Sequence, residues 1–336
     1  MINITRRQLV TAAASLPLFN ILTSRANAAE FVYKFGNNVP ETHPTNVAAK
    51  TVIERIREES GGRVDIQRFP NSQLGNDTDM LSQVRSGALE FYLLSPLRLS
   101  NLIPDAGVSG LGFLFSDYTA VWRALDGELG TYVRSLMPSV QLVGFSKIWD
   151  NGFRHVTSNS KPITTAADIK GMKIRVPSTR LWTSLFKSLG AVPTGLDFAE
   201  LYTALQTRIV DGQENPLSII SFGKLYEVQK YCAFTGHMWD GFWLVANKTQ
   251  WERLPAEMQD IVARNFDLAA AEQRKEIGIL NTSLQDELEK KGMVFKPADR
   301  PSFQKTLIEN DFYKEWQEQF SEQAWKLVQE YGEVSL

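Results

Sequence analysis

The sequence predicts an α/β protein built as two lobes. Three observations carry that expectation. Strands and helices alternate through residues 31–94 and again through 171–206, the pattern of mostly parallel sheets covered by helices. The chain is 336 residues long, and a chain that size divides into two cores more readily than it grows one. Near its C-terminal side a helical pattern runs with few breakers from Leu254-Pro255 to Lys291-Gly292, about 55 Å at 1.5 Å per residue, long enough to brace both lobes.

Residues 1–28 read as an export signal. Arg6 and Arg7 make a basic start, an apolar run spans 9–22, and Ala26-Asn27-Ala28 supplies small residues before a mature start near Ala29. Thr5-Arg6-Arg7-Gln8-Leu9-Val10 resembles a twin-arginine signal, and paired arginines also occur in ordinary Sec signals, so both routes stay open. Ser15, Pro17 and Asn20 interrupt the run, which falls short of the roughly 20 residues of a membrane helix. Loss of Arg6, Arg7 and Arg25 with the signal moves the formal charge from −2 to −5, so nothing attracts nucleic acid.

The first α/β set opens with a strand at Phe31–Gly36, the loop 37–44, and a helix carrying Val47, Ala48, Val52, Ile53 and Ile56 that Gly61-Gly62 ends. Residues 63–69 alternate apolar and polar as a half-buried strand does, and Asn71-Ser72-Gln73-Leu74-Gly75 turns the chain into a helix at Asp77–Ser86. A strand at 89–94, a helix around 118–136 and a strand at 141–149 follow. The second set has a strand at 171–177, a helix at 179–189, a short strand at 191–194 and a helix at Phe198–Gln206.

Several chemistries are excluded. His43, His155 and His237 lie far apart, and Cys232 is the single cysteine, so no zinc site, metal centre or disulfide is expected. Gly107-Val108-Ser109-Gly110-Leu111-Gly112 has the wrong spacing for a dinucleotide fingerprint, and no phosphate loop or Gly-x-Ser-x-Gly elbow occurs. No cofactor is expected and no nucleophile stands out.

Two arginines do stand out, Arg154 in Trp149-Asp150-Asn151-Gly152-Phe153-Arg154-His155-Val156-Thr157 and Arg175 in Lys173-Ile174-Arg175-Val176-Pro177. An arginine at the C-terminal end of a strand faces the crevice where open α/β sheets bind ligands, and its planar fork holds a carboxylate by two parallel hydrogen bonds. A solvated edge residue paired with Asp or Glu is the alternative. Asp211-Gly212-Gln213-Glu214-Asn215-Pro216 reads as a turn into a helix with Asn215 as N-cap, a place that also favours anions. Of the aromatics nearby, Trp149, Phe153, Trp182, Phe198, Trp239, Phe242 and Trp243, most belong to the core.

Taken in order, Phe69-Pro70-Asn71-Ser72-Gln73-Leu74-Gly75, Gly152-Phe153-Arg154-His155-Val156-Thr157, the stretch from Asp168 through Gly171-Met172-Lys173-Ile174-Arg175-Val176-Pro177, and Ala204-Leu205-Gln206 through Asp211-Gly212-Gln213-Glu214-Asn215-Pro216 resemble the solute-binding proteins of tripartite ATP-independent periplasmic (TRAP) transporters, DctP type. The resemblance covers nearly the whole mature chain. It implies a periplasmic-binding-protein fold with a central ligand cleft, the long helix bridging the lobes, and boundaries at 29–151 with 241–280 for the first lobe and 152–240 with 281–336 for the second. It implies a non-enzymatic periplasmic protein that passes a small organic acid to membrane permease subunits.

By the same resemblance Arg175 holds the ligand carboxylate, Arg154 supports that end, Asn215 hydrogen-bonds it, Phe198 lies beside the pocket floor, and Asn38 and His43 reach in from the first lobe. Trp149, Asp150, Trp239 and Asp240 are carried over with them. Members that bind sialic acid have an acidic residue where this chain has Ser95-Pro96-Leu97-Arg98, which argues against a large amino sugar acid and adds Ser95 to the candidates. A uronate or related sugar acid is the favoured ligand. A dicarboxylate, keto acid or aromatic acid, and an exported sensor or enzyme on the same fold, are the alternatives.

Overall fold

The computed structural model describes residues 28–332, so the export-signal reading lies outside the described residues apart from Ala28. Ten strands form one sheet: β1 (Phe31–Gly36), β2 (Val64–Phe69), β3 (Phe91–Leu94), β4 (Leu142–Gly144), β5 (Trp149–Ser158), β6 (Lys173–Val176), β7 (Val192–Gly195), β8 (Gly212–Asn215), β9 (Tyr231–Asn247) and β10 (Val294–Pro297). Their order is β2-β1-β3-β9-β5-β8-β6-β7, with β4 and β10 also paired to β9.

The two ends of this sheet are parallel, β2-β1-β3 on one side and β8-β6-β7 on the other. Between them β5 and β9 run antiparallel to each other, β9 antiparallel to β3 and β4, and β5 antiparallel to β8, while β10 joins β9 in parallel. The expectation of mostly parallel sheets thus holds in the two wings and not at the crossing strands. The longest of the strands not expected from the sequence is β9, whose 17 residues pair with β3 and β4 at one end and β10 at the other. Buried almost throughout, it shows no apolar/polar alternation from which a strand can be read. The β5 strand starts where the predicted 141–149 strand ends, because the chain bends after β4. Bulges at Asp150/Gly152 and Arg154/Val156 break the β5–β9 register, and Gly152 takes φ +120° there, a conformation that favours glycine.

The helices are α1 (Pro44–Glu59), α2 (Asp77–Ser86), α3 (Pro96–Leu99), α4 (Tyr118–Leu125), α5 (Glu128–Leu136), α6 (Arg180–Ser188), α7 (Phe198–Gln206), α8 (Leu217–Phe222), α9 (Lys248–Glu252), α10 (Ala256–Lys290), α11 (Arg300–Glu309), α12 (Phe312–Gln319) and α13 (Glu322–Tyr331). The helix expected around 118–136 is two, α4 and α5. Gly127 leaves the helical conformation between them (φ −97°, ψ −145°), and a Cβ there would sit 2.4 Å from the Arg123 carbonyl oxygen, so the break requires glycine.

The 35-residue α10 packs Phe266, Ala269 and Ala270 into the core around Phe35, Phe91 and Trp149, and Leu284 and Leu288 into the core around Leu201, Ile220 and Cys232. At its middle Gln273 holds β5 at the bulge: its Oε1 accepts from Asp150 N at 2.9 Å and its Nε2 donates to Asp150 O at 2.7 Å and Thr45 Oγ1 at 3.0 Å. One helix thus ties both lobes to the crossing strands. No helix of the described residues is long and apolar enough to cross a membrane.

Candidate functional site

A narrow cavity of about 40 Å³ lies between the lobes and is lined from both. The loop after β1 contributes Asn38 and Val39, and α2 begins at Asp77, whose residue stands on the wall. Ser95 caps α3, accepting from Leu97 N at 3.3 Å, and one turn on Arg98 reaches the cavity. The crossing strands supply Asn151, Arg154, Asp240 and Phe242. The other lobe supplies Arg175 on β6 and Pro177 just after it, Trp182 on α6, Phe198 opening α7, Asn215 ending β8, and Ile219 on α8.

Three buried guanidinium groups meet here and differ in what balances them. Arg154, 2 % exposed, is fully engaged. Its Nε donates to Glu214 Oε2 at 2.5 Å, Nη2 to Glu214 Oε1 at 2.8 Å and to the Glu214 carbonyl at 2.7 Å, and Nη1 to Asp240 Oδ2 at 2.9 Å. Its guanidinium also lies 4.8 Å from the Trp182 ring centre. Against burial, Arg154 and the His237 hydrogen bond hold the Glu214 carboxyl down to about 2. Arg98 is engaged by Asp77 at 3.2 Å, by Asp197, and by the Ser178 carbonyl at 3.3 Å.

Arg175 is different. It is 2 % exposed, and its Nε donates to the Leu196 carbonyl at 3.0 Å. Among the described residues no carboxylate lies within 4.0 Å of it, while Arg98 and Arg154 each have two. Burial, joined by the Arg154 and Arg98 charges, pulls its guanidinium down to about 9. A buried cation without a counter-ion favours an anion beside it, and the free edge of the fork suits a carboxylate.

The other predicted residues divide. Asn38, Ser95, Phe198, Asn215 and Asp240 share the cavity wall with Arg175 and Arg154. Asn38 Nδ2 donates to Asp77 Oδ2 at 2.9 Å, Ser95 Oγ to Asp240 Oδ1 at 2.7 Å, and Asn151 Nδ2 to Asp240 Oδ2 at 3.1 Å. Asn215 closes β8 and its Nδ2 donates to Gln213 Oε1 at 2.5 Å; Pro216 occupies the cap of α8, correcting the N-cap reading. His43, Trp149, Asp150 and Trp239 do not line the cavity. His43 is the N-cap of α1, with Nδ1 accepting from Thr45 N at 3.2 Å. Trp239 Nε1 donates to Asp150 Oδ1 at 2.9 Å behind the wall.

Asp77, Arg98, Asn151, Ile219 and Phe242 also stand on the wall, outside the site residues expected from the sequence. Asp240 and Phe242 stand two apart on one strand and so share a face, but that signal needs β9 to be seen as a strand first. A wider groove of about 1040 Å³ runs over α6 and α12. Its charged residues, Lys170, Arg180, Lys187 and Glu315, are exposed or half-buried, so it lacks the desolvated charge found between the lobes.

Burial raises the Asp150 carboxyl to about 7, with the Trp239 and Tyr118 donors opposing it. A folded-state value above the unfolded one of 3.8 means a contribution to stability that is present below 3.8 and lost as pH rises through about 7. Asp150→Asn, which keeps the acceptor for Trp239, is expected to raise the melting temperature more at about pH 8 than at about pH 5. Thermal unfolding at the two pH values checks it; an equal change at both refutes the assignment.

The family model for bacterial extracellular solute-binding protein, family 7 (DctP) matches residues 35–322. The 2,3-diketo-L-gulonate-binding periplasmic protein YiaO of Escherichia coli K12 is 31 % identical over 285 residues, 84 % of this chain and 87 % of its own. The C4-dicarboxylate-binding periplasmic protein DctP of Rhodobacter capsulatus is 34 % identical over 257 residues, 76 % of this chain and 77 % of its own. Among solved structures, the sugar acid binding protein DctPAm from Advenella mimigardefordensis in complex with galactonate superposes with a TM-score of 0.87 at 29 % identity, covering 91 % of this chain and 98 % of that one. Fold, cleft and these likenesses agree: the chain belongs to the family-7 bacterial extracellular solute-binding proteins, the DctP-type proteins of TRAP transporters, and binds a solute without transforming it.

Proposed function

We propose that this protein works in the periplasm, capturing a polyhydroxylated monocarboxylate of the uronate or aldonate kind and handing it to TRAP permease subunits. The observation that carries the reading is the charge balance of the cavity. Arg175 is the one guanidinium on its wall without a carboxylate partner among the described residues, so the place beside it suits one negative charge, which a monocarboxylate brings, while the carboxylates around Arg98 and Arg154 disfavour a second. The rest of the wall, Asn38, Asp77, Ser95, Asn151, Asn215 and Asp240, offers amide, hydroxyl and carboxylate groups suited to ligand hydroxyls. Arg154, whose fork is occupied, then acts by holding Glu214 and Asp240 in place.

The galactonate complex of the Advenella protein and the diketogulonate-binding Escherichia coli relative support a sugar-acid ligand. The C4-dicarboxylate-binding relative of Rhodobacter supports the competing one; a second ligand carboxylate here would meet Asp77 and Asp240. Binding would be a population shift in which residues 29–151 with 241–280 close against 152–240 with 281–336, β5, β9 and α10 serving as the hinge. In an isothermal titration panel, galacturonate, glucuronate and galactonate are expected to bind more tightly than succinate, and tighter succinate binding would overturn the monocarboxylate reading. The exported protein is expected to begin at Ala29, which N-terminal sequencing of the periplasmic form checks.

A further inference from the structure

We propose that Asp197, acting through Arg98, sets the selectivity of this cavity against ligands that carry a second carboxylate; the inference rests on the monocarboxylate reading above. Arg98 is the cation of the cavity wall that a second ligand carboxylate would seek once Arg175 held the first. Its side chain is 5 % exposed, and its partners come from both sides of the cleft. Asp77, on its own side, accepts from Nη2 at 3.2 Å. Asp197, across the cleft at the start of α7, engages the same Nη2, and the Ser178 carbonyl accepts from Nη1 at 3.3 Å.

Both acids are held where they are. The Tyr92 hydroxyl donates to Asp77 Oδ1 at 2.8 Å and Asn38 Nδ2 donates to Asp77 Oδ2 at 2.9 Å. The Asp197 backbone N donates to Glu200 Oε2 at 3.1 Å, which anchors the residue as the cap of α7. Arg98 is thus a buried cation whose single charge two fixed carboxylates already outweigh. A dicarboxylate would set a third carboxylate against them, and like charges brought together out of water repel strongly. Because Asp197 reaches Arg98 across the cleft, such a ligand would also compete with a contact that joins the lobes. A neutral polyhydroxyl tail avoids both effects and donates hydroxyl hydrogens to the same oxygens.

The test is the ratio of galacturonate to succinate affinity by titration calorimetry in the wild-type protein, Asp197→Asn and Asp77→Asn, with thermal unfolding to show that each variant is folded. Asp197→Asn keeps an acceptor for Arg98 and removes one negative charge, and it is expected to shift the ratio toward succinate by about tenfold or more. Asp77→Asn is expected to shift it in the same direction. An unchanged ratio, or equal losses for both acids as a mere lobe-closing contact would give, overturns the proposal. Arg175→Ala run alongside separates the two readings: an unchanged galacturonate affinity in it removes the Arg175 reading, whereas an affinity weakened by about 30-fold or more there with an unchanged Asp197→Asn ratio removes the Asp197 assignment alone.

Discussion

Arg175→Ala is expected to weaken binding of the captured acid by about 2–5 kcal/mol, about 30-fold to several thousand-fold in Kd. The ligand carboxylate would still leave water on entering the cavity, but would find no fork to receive it. The same position predicts an opposite effect on the empty protein. Arg175 is a buried cation with one hydrogen bond to a carbonyl and no carboxylate within 4.0 Å among the described residues, so the ligand-free fold bears the desolvation of its charge. Arg175→Met, which fills the space without the charge, should therefore raise the melting temperature of the ligand-free protein while abolishing binding. Calorimetric titration and thermal unfolding of the two variants check this. Normal binding by Arg175→Ala would remove the residue from the site, and a lower melting temperature for Arg175→Met would show that its role is structural.

Glu214→Ala is expected to do the reverse, destabilising the fold by about 3–5 kcal/mol. Its side chain is fully buried, and its oxygens take Arg154 at 2.5 and 2.8 Å and His237 Nε2 at 3.1 Å. Truncation leaves Arg154 with Asp240 alone as its carboxylate partner in a place water does not reach. Glu214→Gln, which preserves shape and removes charge, should cost less. The pH dependence follows from the carboxyl being held at about 2, below its ordinary 4.5. A depressed folded-state value contributes stability that is present above 4.5 and is lost as pH falls through about 2. In Glu214→Gln the acid limb of the stability profile should accordingly flatten over that window. Chemical denaturation at a series of pH values measures both effects, and an unaltered acid limb would contradict the assignment.

These two predictions concern residues that were unequally visible beforehand. Position left Arg175 open between the crevice of an open α/β sheet and a solvated edge, and it was legible as a ligand residue only through the resemblance that its motif carries. Glu214 was not, since it sat in what read as a turn and is in fact the third residue of β8, opposite Val156 in the β5 register. The long helix α10 was legible from an unbroken helical pattern. The 17-residue β9 was not, because a strand buried on both faces loses the alternation that marks a strand.

What the sequence by itself determined is local. Periodicity marked strands and helices in both lobes, glycine and proline placed most of their ends, and the motifs around Arg154, Arg175 and Asn215 pointed to a family and a carboxylate site. What only the tertiary structure decided is which charges are balanced. Arg154 finds Glu214 at 60 residues' separation and Asp240 at 86, and Arg98 finds Asp197 at 99. Electrostatic pairing depends on distance in space and on the exclusion of water, neither of which a linear pattern carries. Only when the lobes face one another is Arg175 the arginine of the cavity wall left without a carboxylate partner among the described residues.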